Sequence, residues 1–174
     1  TYKYQWSTCD EFGFVKKSSI KNNSSDIISI ELVDGIQNIL PWGVDEALQN
    51  STSNLVDAYK RNELEESSKI GIYALSAIIV DKAEPSEALK ANISWSYGFD
   101  DCKILISSLQ LDNFRKNIEL NQENDVKAEK GAYFINSQIS LHENEAKEWY
   151  IVSDVSKSSS EILELKKILI EEKN

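Results

Sequence analysis

The chain is short of the residue types on which most enzymes and metal proteins depend. Among 174 residues there is one histidine, His142, and there are two cysteines, Cys9 and Cys102. That is too few for a disulfide scaffold, and the cysteine spacing is wrong for zinc. A glycine-rich phosphate loop is absent, and only six glycines and two prolines punctuate the chain. There is no methionine, which predicts a start that has been processed or trimmed. The longest apolar stretch, Ile70 to Val80, is broken by Gly71 and Ser76 and falls short of the ~20 residues a membrane span needs. The opening residues, Thr1 to Trp6, have neither the basic start nor the apolar run of a signal peptide, so a cytoplasmic protein is expected.

Basic residues are the second shortage. Nineteen Lys and Arg stand against 29 Asp and Glu, a formal net charge of −10. Such a surface repels nucleic-acid phosphates and anionic membranes, and it attracts a basic protein. The imbalance is sharpest between Lys21 and Lys60. Six acids fall there (Asp26, Glu31, Asp34, Asp45, Glu46 and Asp57) and no Lys or Arg.

What is present is enough for a core. Four Trp, seven Tyr and five Phe, in a chain that is 41% hydrophobic, exclude disorder of the whole. The length fits one domain spanning residues 1–174, without a linker or internal repeat. Tyr2, Tyr4 and Trp6 alternate with polar residues, which predicts a strand with aromatics on one face; a turn at Cys9–Gly13 and a return strand from Phe14 follow. Residues Ser18–Asp26 read as a loop, and Asp26–Val33 as a strand ended by Asp34-Gly35. Asp45 and Glu46 suit a first helical turn, and Ser51–Ser53 offers caps for a helix reaching about Glu66. Length favours helix over strand for Ile70–Val80, and Pro85–Leu89 reads as a short helix start. Strands are predicted at Ile93–Phe99, Ile104–Leu111, Tyr133–Leu141 and Trp149–Val152. A short helix after Asp112 and a charged loop over Glu119–Gly131 lie between them. Ser158 with Glu161 forms a capping-box pattern ahead of Ile162, Leu165 and Leu169. The expected fold is therefore α+β: a mostly antiparallel sheet packed against several helices, with a C-terminal amphipathic helix.

Few constellations carry chemistry. His142 lacks the second histidine of a metalloprotease helix and lies among Glu143, Asn144 and Glu145 as a solvated surface group would. Neither cysteine sits in a nucleophile signature, and Asp100-Asp101 ahead of Cys102 disfavours a thiolate there. The acids at 100–101 and 119–129 lack the spacing of a calcium loop. The segment from 22 to 59 remains, with Trp42 held between Pro41 and Gly43. Exposed aromatics favour interface cores, and charge sets partner choice at the rim. Asp34, Trp42, Asp45 and Glu46 are thus the candidate contact residues for a basic protein partner. No catalytic residue, cofactor or metal is expected.

In profile the chain is similar to bacterial immunity proteins, which are small and acidic and bind a co-encoded toxin. The likeness is one of size, charge and absent catalytic motifs, and it implies a non-enzymatic binder that neutralises or chaperones a basic toxin domain. Two alternatives are a hydrolytic enzyme using carboxylates, with or without His142, and a secreted or surface interaction domain, favoured by a Cys9–Cys102 disulfide.

Overall fold

A computed structural model describes residues 1–76 and 90–171. Of these, 50% are strand and 20% helix. In chain order the elements are β1 (Tyr2–Cys9), β2 (Gly13–Lys21), β3 (Ile28–Ile39), α1 (Glu46–Ser51), α2 (Ser53–Tyr59), β4 (Lys60–Glu65), β5 (Ile70–Leu75), β6 (Lys90–Tyr97), β7 (Lys103–Leu105), α3 (Leu111–Arg115), β8 (Asp125–Lys127), β9 (Gly131–Leu141), β10 (Ala146–Ser158) and α4 (Ser159–Glu171). The strands form a seven-stranded sheet, β1-β2-β10-β6-β5-β4-β8, and a three-stranded sheet, β3-β9-β7, with antiparallel pairing throughout.

The two sheets face each other. Leu64, Tyr73, Trp149 and Ile151 of the large sheet pack with Ile104, Tyr133 and Ile135 of the small one, and Leu32 and Ile36 of β3 close over them. Two tyrosines pin the layers with hydrogen bonds as well as area. Tyr73 donates to the Ala132 carbonyl at 2.7 Å, and Tyr133 donates to the Lys69 carbonyl at 2.7 Å. Burial pushes the ionisation of both phenols up, so they stay neutral donors. The outer face of the large sheet is covered by α4, whose Ile162, Leu165 and Leu169 meet Ile70, Ile93, Trp95 and Val152.

The expectation of several helices packed on the sheet is overturned. Among the described residues three of the four helices are five to seven residues long, and of these four α4 alone, with 13, packs as a full helix along a sheet face. The helix expected to reach Glu66 stops at Tyr59, because Lys60, Asn62 and Leu64 are buried alternately, which is strand geometry. Residues 70–75 form a central strand rather than a helix. Tyr73 faces the sheet-to-sheet core while Ile70 and Ile72 face α4, and a strand covered on both faces loses its polar alternation. Residues 77–80 of that stretch, and the helix start at Pro85–Leu89, lie outside the described residues.

Further boundaries differ: β8 (Asp125–Lys127) lies in the stretch expected to be a charged loop, and β10 is longer than the expected Trp149–Val152. The strand β2 runs through Ser18 to Lys21, β7 ends at Leu105, and β3 continues past Asp34-Gly35 to Ile39. Gly35 does not turn the chain. It lets β3 pass β9, since a Cβ there would collide with the Tyr133 carbonyl and the Phe134 ring. At the other end the capping box forms as expected: the Glu161 carboxylate accepts from the Ser158 amide at 2.8 Å and from its hydroxyl at 2.6 Å.

Candidate functional site

Asp34 sits where β3 crosses over β2 and β10. Its carboxylate accepts from Ser18 Oγ at 2.8 Å, from Trp149 Nε1 at 2.7 Å and from the Tyr2 hydroxyl at 3.2 Å, and it pairs with the Lys16 ammonium. The Lys16 and Asp34 side chains are 9% and 12% exposed. Four donors from three strands of the large sheet thus converge on one carboxylate of the small sheet. Asp34 is committed inside the fold as the polar tie between the layers, so it offers little to an outside cation.

Trp42, Asp45 and Glu46 lie together beyond the end of β3, apart from the Asp34 tie. Trp42 is exposed in a turn, and the Lys90 ammonium stands 5.8 Å from its ring centre. Asp45 caps α1, accepting from the Leu48 amide at 2.7 Å, yet remains exposed. Glu46 is exposed in the first turn. The last acid of the segment, Asp57, faces inward. It takes the buried Lys60 ammonium at 2.7 Å, and Gln49 takes the same group at 2.6 Å. Burial works against the Asp57 charge, but these contacts outweigh it and hold the carboxyl below its usual range.

The groups considered for catalysis are not brought together. His142 is exposed at the end of β9, where its amide donates to Glu145 at 2.7 Å. Cys9 is exposed at the end of β1, whereas Cys102 is buried in the central core beside Lys69, and the two are not joined. Among the described residues, no group of three or more His, Cys, Asp or Glu side chains is placed to hold a metal ion. Nor is any helix among them long and apolar enough to cross a membrane.

The feature that sequence reading missed is on β1. Every residue of this strand is exposed, on both faces. Tyr2, Tyr4 and Trp6 are 48%, 61% and 50% exposed, and Phe14 across the hairpin is 52% exposed. Contiguous apolar surface of this kind marks interaction sites in soluble proteins. The row starts at the seam, where half-exposed Tyr2 stacks on buried Trp149 with ring centres 6.2 Å apart, and continues through Tyr4, 6.1 Å from Tyr2. Beside it, between Trp6, Phe14, Gly35, Ile39 and Leu40, opens a mostly apolar groove of about 610 Å³. A sequence signal for this exists. The β2 residues paired with Tyr4 and Trp6 are Ser18 and Lys16, polar where a covered aromatic row would have apolar neighbours.

Both sheets end on this side of the molecule, with β1 the last strand of the large sheet and β3 of the small one. β3 carries Glu31 and Asp34 and no basic residue. The cleft is thus walled by two strand edges and floored by aromatics; Asp34 within it is paired with Lys16, and Glu31 stands exposed on β3. Comparison with protein-family models and with curated proteins finds no match for this chain.

Proposed function

We propose that this chain is a non-enzymatic binding protein that neutralises or chaperones a basic protein partner in the cytoplasm, a role of the kind bacterial toxin-immunity proteins perform. The observation that carries this reading is the half-exposed row Tyr2, Tyr4 and Trp6 beside a strand that has acids and no bases. Aromatic side chains supply contact area at small entropic cost, and fixed acids at the rim steer a Lys/Arg-rich surface and select it. Trp42, Asp45 and Glu46 extend the same chemistry past the end of β3. The chain's own Lys90 ammonium stands 5.8 Å from the Trp42 ring centre, a contact that supports a cation-accepting role for that ring. Asp34 serves this surface from within, by holding β3 and β1 in place.

The test is retention of protein from the native source at low salt, released by a salt step. Wild-type protein should retain one basic protein stoichiometrically. A Tyr4→Ser/Trp6→Ser variant should lose it, and Asp45→Lys/Glu46→Lys should weaken it and flatten its salt dependence. An empty column, or equal retention by all three proteins, contradicts the reading.

A further inference from the structure

We propose that the cleft between the β1 and β3 edges takes one extended, Lys/Arg-bearing segment of a partner protein. The segment adds to β3 as a fourth strand of the small sheet and lays its apolar side chains on Tyr2, Tyr4 and Trp6. The partner's basic chemistry rests on the function proposed above; the site and the mode of binding do not.

The layer count comes first. Asp34 touches Lys16 and Ser18 of β2 and Trp149 of β10, so β3 lies over those two strands. Neighbouring strands are ~4.8 Å apart and packed sheets ~10 Å apart. One more strand beyond β3 therefore lies over β1, at the distance from which facing side chains interdigitate. Among the described residues no strand of the upper layer lies beyond β3, and the aromatic row is exposed.

The backbone of β3 is ready for it. Gln37 faces Ala132 of β9, but the Ala132 amide donates away from β3, to the Ile106 carbonyl at 3.1 Å. The Gln37–Ala132 pair is thus one that exchanges no backbone hydrogen bonds, and Gln37 turns its N–H and C=O to the open edge. Residues of the same parity, Gly35, Val33 and Glu31, do likewise. At Gly35 the carbonyl already accepts from the Lys16 ammonium at 3.2 Å from beneath, so there the amide N–H is what the edge offers. An edge strand in this state is a template for another strand, and natural proteins blunt such edges unless they use them. β3 has no proline and no lysine, and its regular edge runs as far as Gln37, where a bulge with Asn38 at φ 59° follows.

Charge decides the occupant. Val33 belongs with the packing on the outer side of the small sheet, and Glu31 shares its parity, so Glu31 stands on that outer face. An added strand places alternate residues beside Glu31 and the remainder over the aromatics. Opposite charge beside Glu31 is favoured and like charge is penalised. A second copy of this chain would bring a net charge of −10 and a second Glu31 to the same edge. A nucleic acid would bring phosphates.

The probes are short synthetic peptides of alternating Lys and Val, or of alternating Glu and Val, titrated into the whole chain while backbone amides and tryptophan indoles are followed by NMR. The Lys/Val peptide should shift and protect the amides of Val33, Gly35 and Gln37 and move the Trp6 indole; the Glu/Val peptide should not. Gln37→Pro removes one outward N–H while keeping the β9 pairing, and it should weaken the Lys/Val peptide about ten-fold, the value of one hydrogen bond. Gln37→Ala, which keeps the N–H, should bind as wild type, and unchanged β9 amide protection shows that both variants fold.

Equal binding of both peptides overturns the charge assignment. Binding indifferent to Gln37→Pro, or no response at the β3 amides, overturns strand addition. Concentration-dependent shifts of these amides without peptide overturn the choice of occupant in favour of a second copy. If a basic protein is retained by the chain but the β3 amides stay silent, this site is wrong while the proposed function stands. If nothing basic is retained and the Lys/Val peptide still protects β3, the reverse holds.

Discussion

The inner face of the large sheet has two halves built from the same residue types with opposite fates. Under β3 and β9, Trp149 and Tyr73 are 1% and 0% exposed, whereas on β1 of that face Trp6 and Tyr4 are 50% and 61% exposed. From β1 through β2 to Trp149 on β10 the register is unbroken. What differs is the layer above, which has three strands where the sheet below has seven. Burial of an aromatic side chain is here a property of the second layer and not of the residue. The uncovered half can therefore be read as a surface awaiting a strand.

The comparison breaks hardest at the seam. Asp34→Ala leaves the Lys16 ammonium buried without its counter-ion and removes the tie to Trp149, which should cost ~3–5 kcal/mol in chemical unfolding. Trp149→Ala should cost a similar ~3–5 kcal/mol by emptying the covered half. The outer face supplies a pH-dependent contrast. Burial works against the Glu65 charge, yet Lys166 of α4, with Ser67 and Ser68, holds that carboxyl down at about 2. Its folded value lies below the unfolded one, so this stabilisation is complete above about pH 4.5 and lost as the pH falls towards 2. Up to ~3 kcal/mol is at stake, and Lys166→Ala should remove part of that acid sensitivity in unfolding followed against pH, the Ser67 and Ser68 contacts keeping the rest. Tyr73→Phe leaves the Ala132 carbonyl without its phenol donor and should cost ~1–2 kcal/mol. Trp6→Ala should change stability by no more than ~0.5 kcal/mol. The last result against Trp149→Ala is the sharpest form of the comparison, since the two substitutions are chemically identical.

The elements that were legible from sequence are those whose signal is local. Alternation marks β1, β6 and β9, and the Ser158–Glu161 box marks the start of α4, because each depends on neighbours a few residues away. The strands β4 and β5 were not legible. Ile70 to Leu75 is buried from both sides, by Tyr133 on one and by α4 on the other, and such a strand has no period of two to read. The candidate residues divide the same way. Asp45 as a cap is a matter of three residues, whereas the interior role of Asp34 depends on an indole 115 positions away. Tyr2, Tyr4 and Trp6 could be placed on one face from their spacing. That they stay exposed depends on where β3 ends its sheet, which no local pattern encodes.

Amide hydrogen exchange along β3 in the unliganded protein tests the central claim most directly. The account predicts alternation: slow exchange at Leu32, Asp34 and Ile36, which bond to β9, and fast exchange at Val33, Gly35 and Gln37, which face the empty strand position. Uniform protection along β3 would mean that this edge is already covered, and the uncovered layer would then not exist.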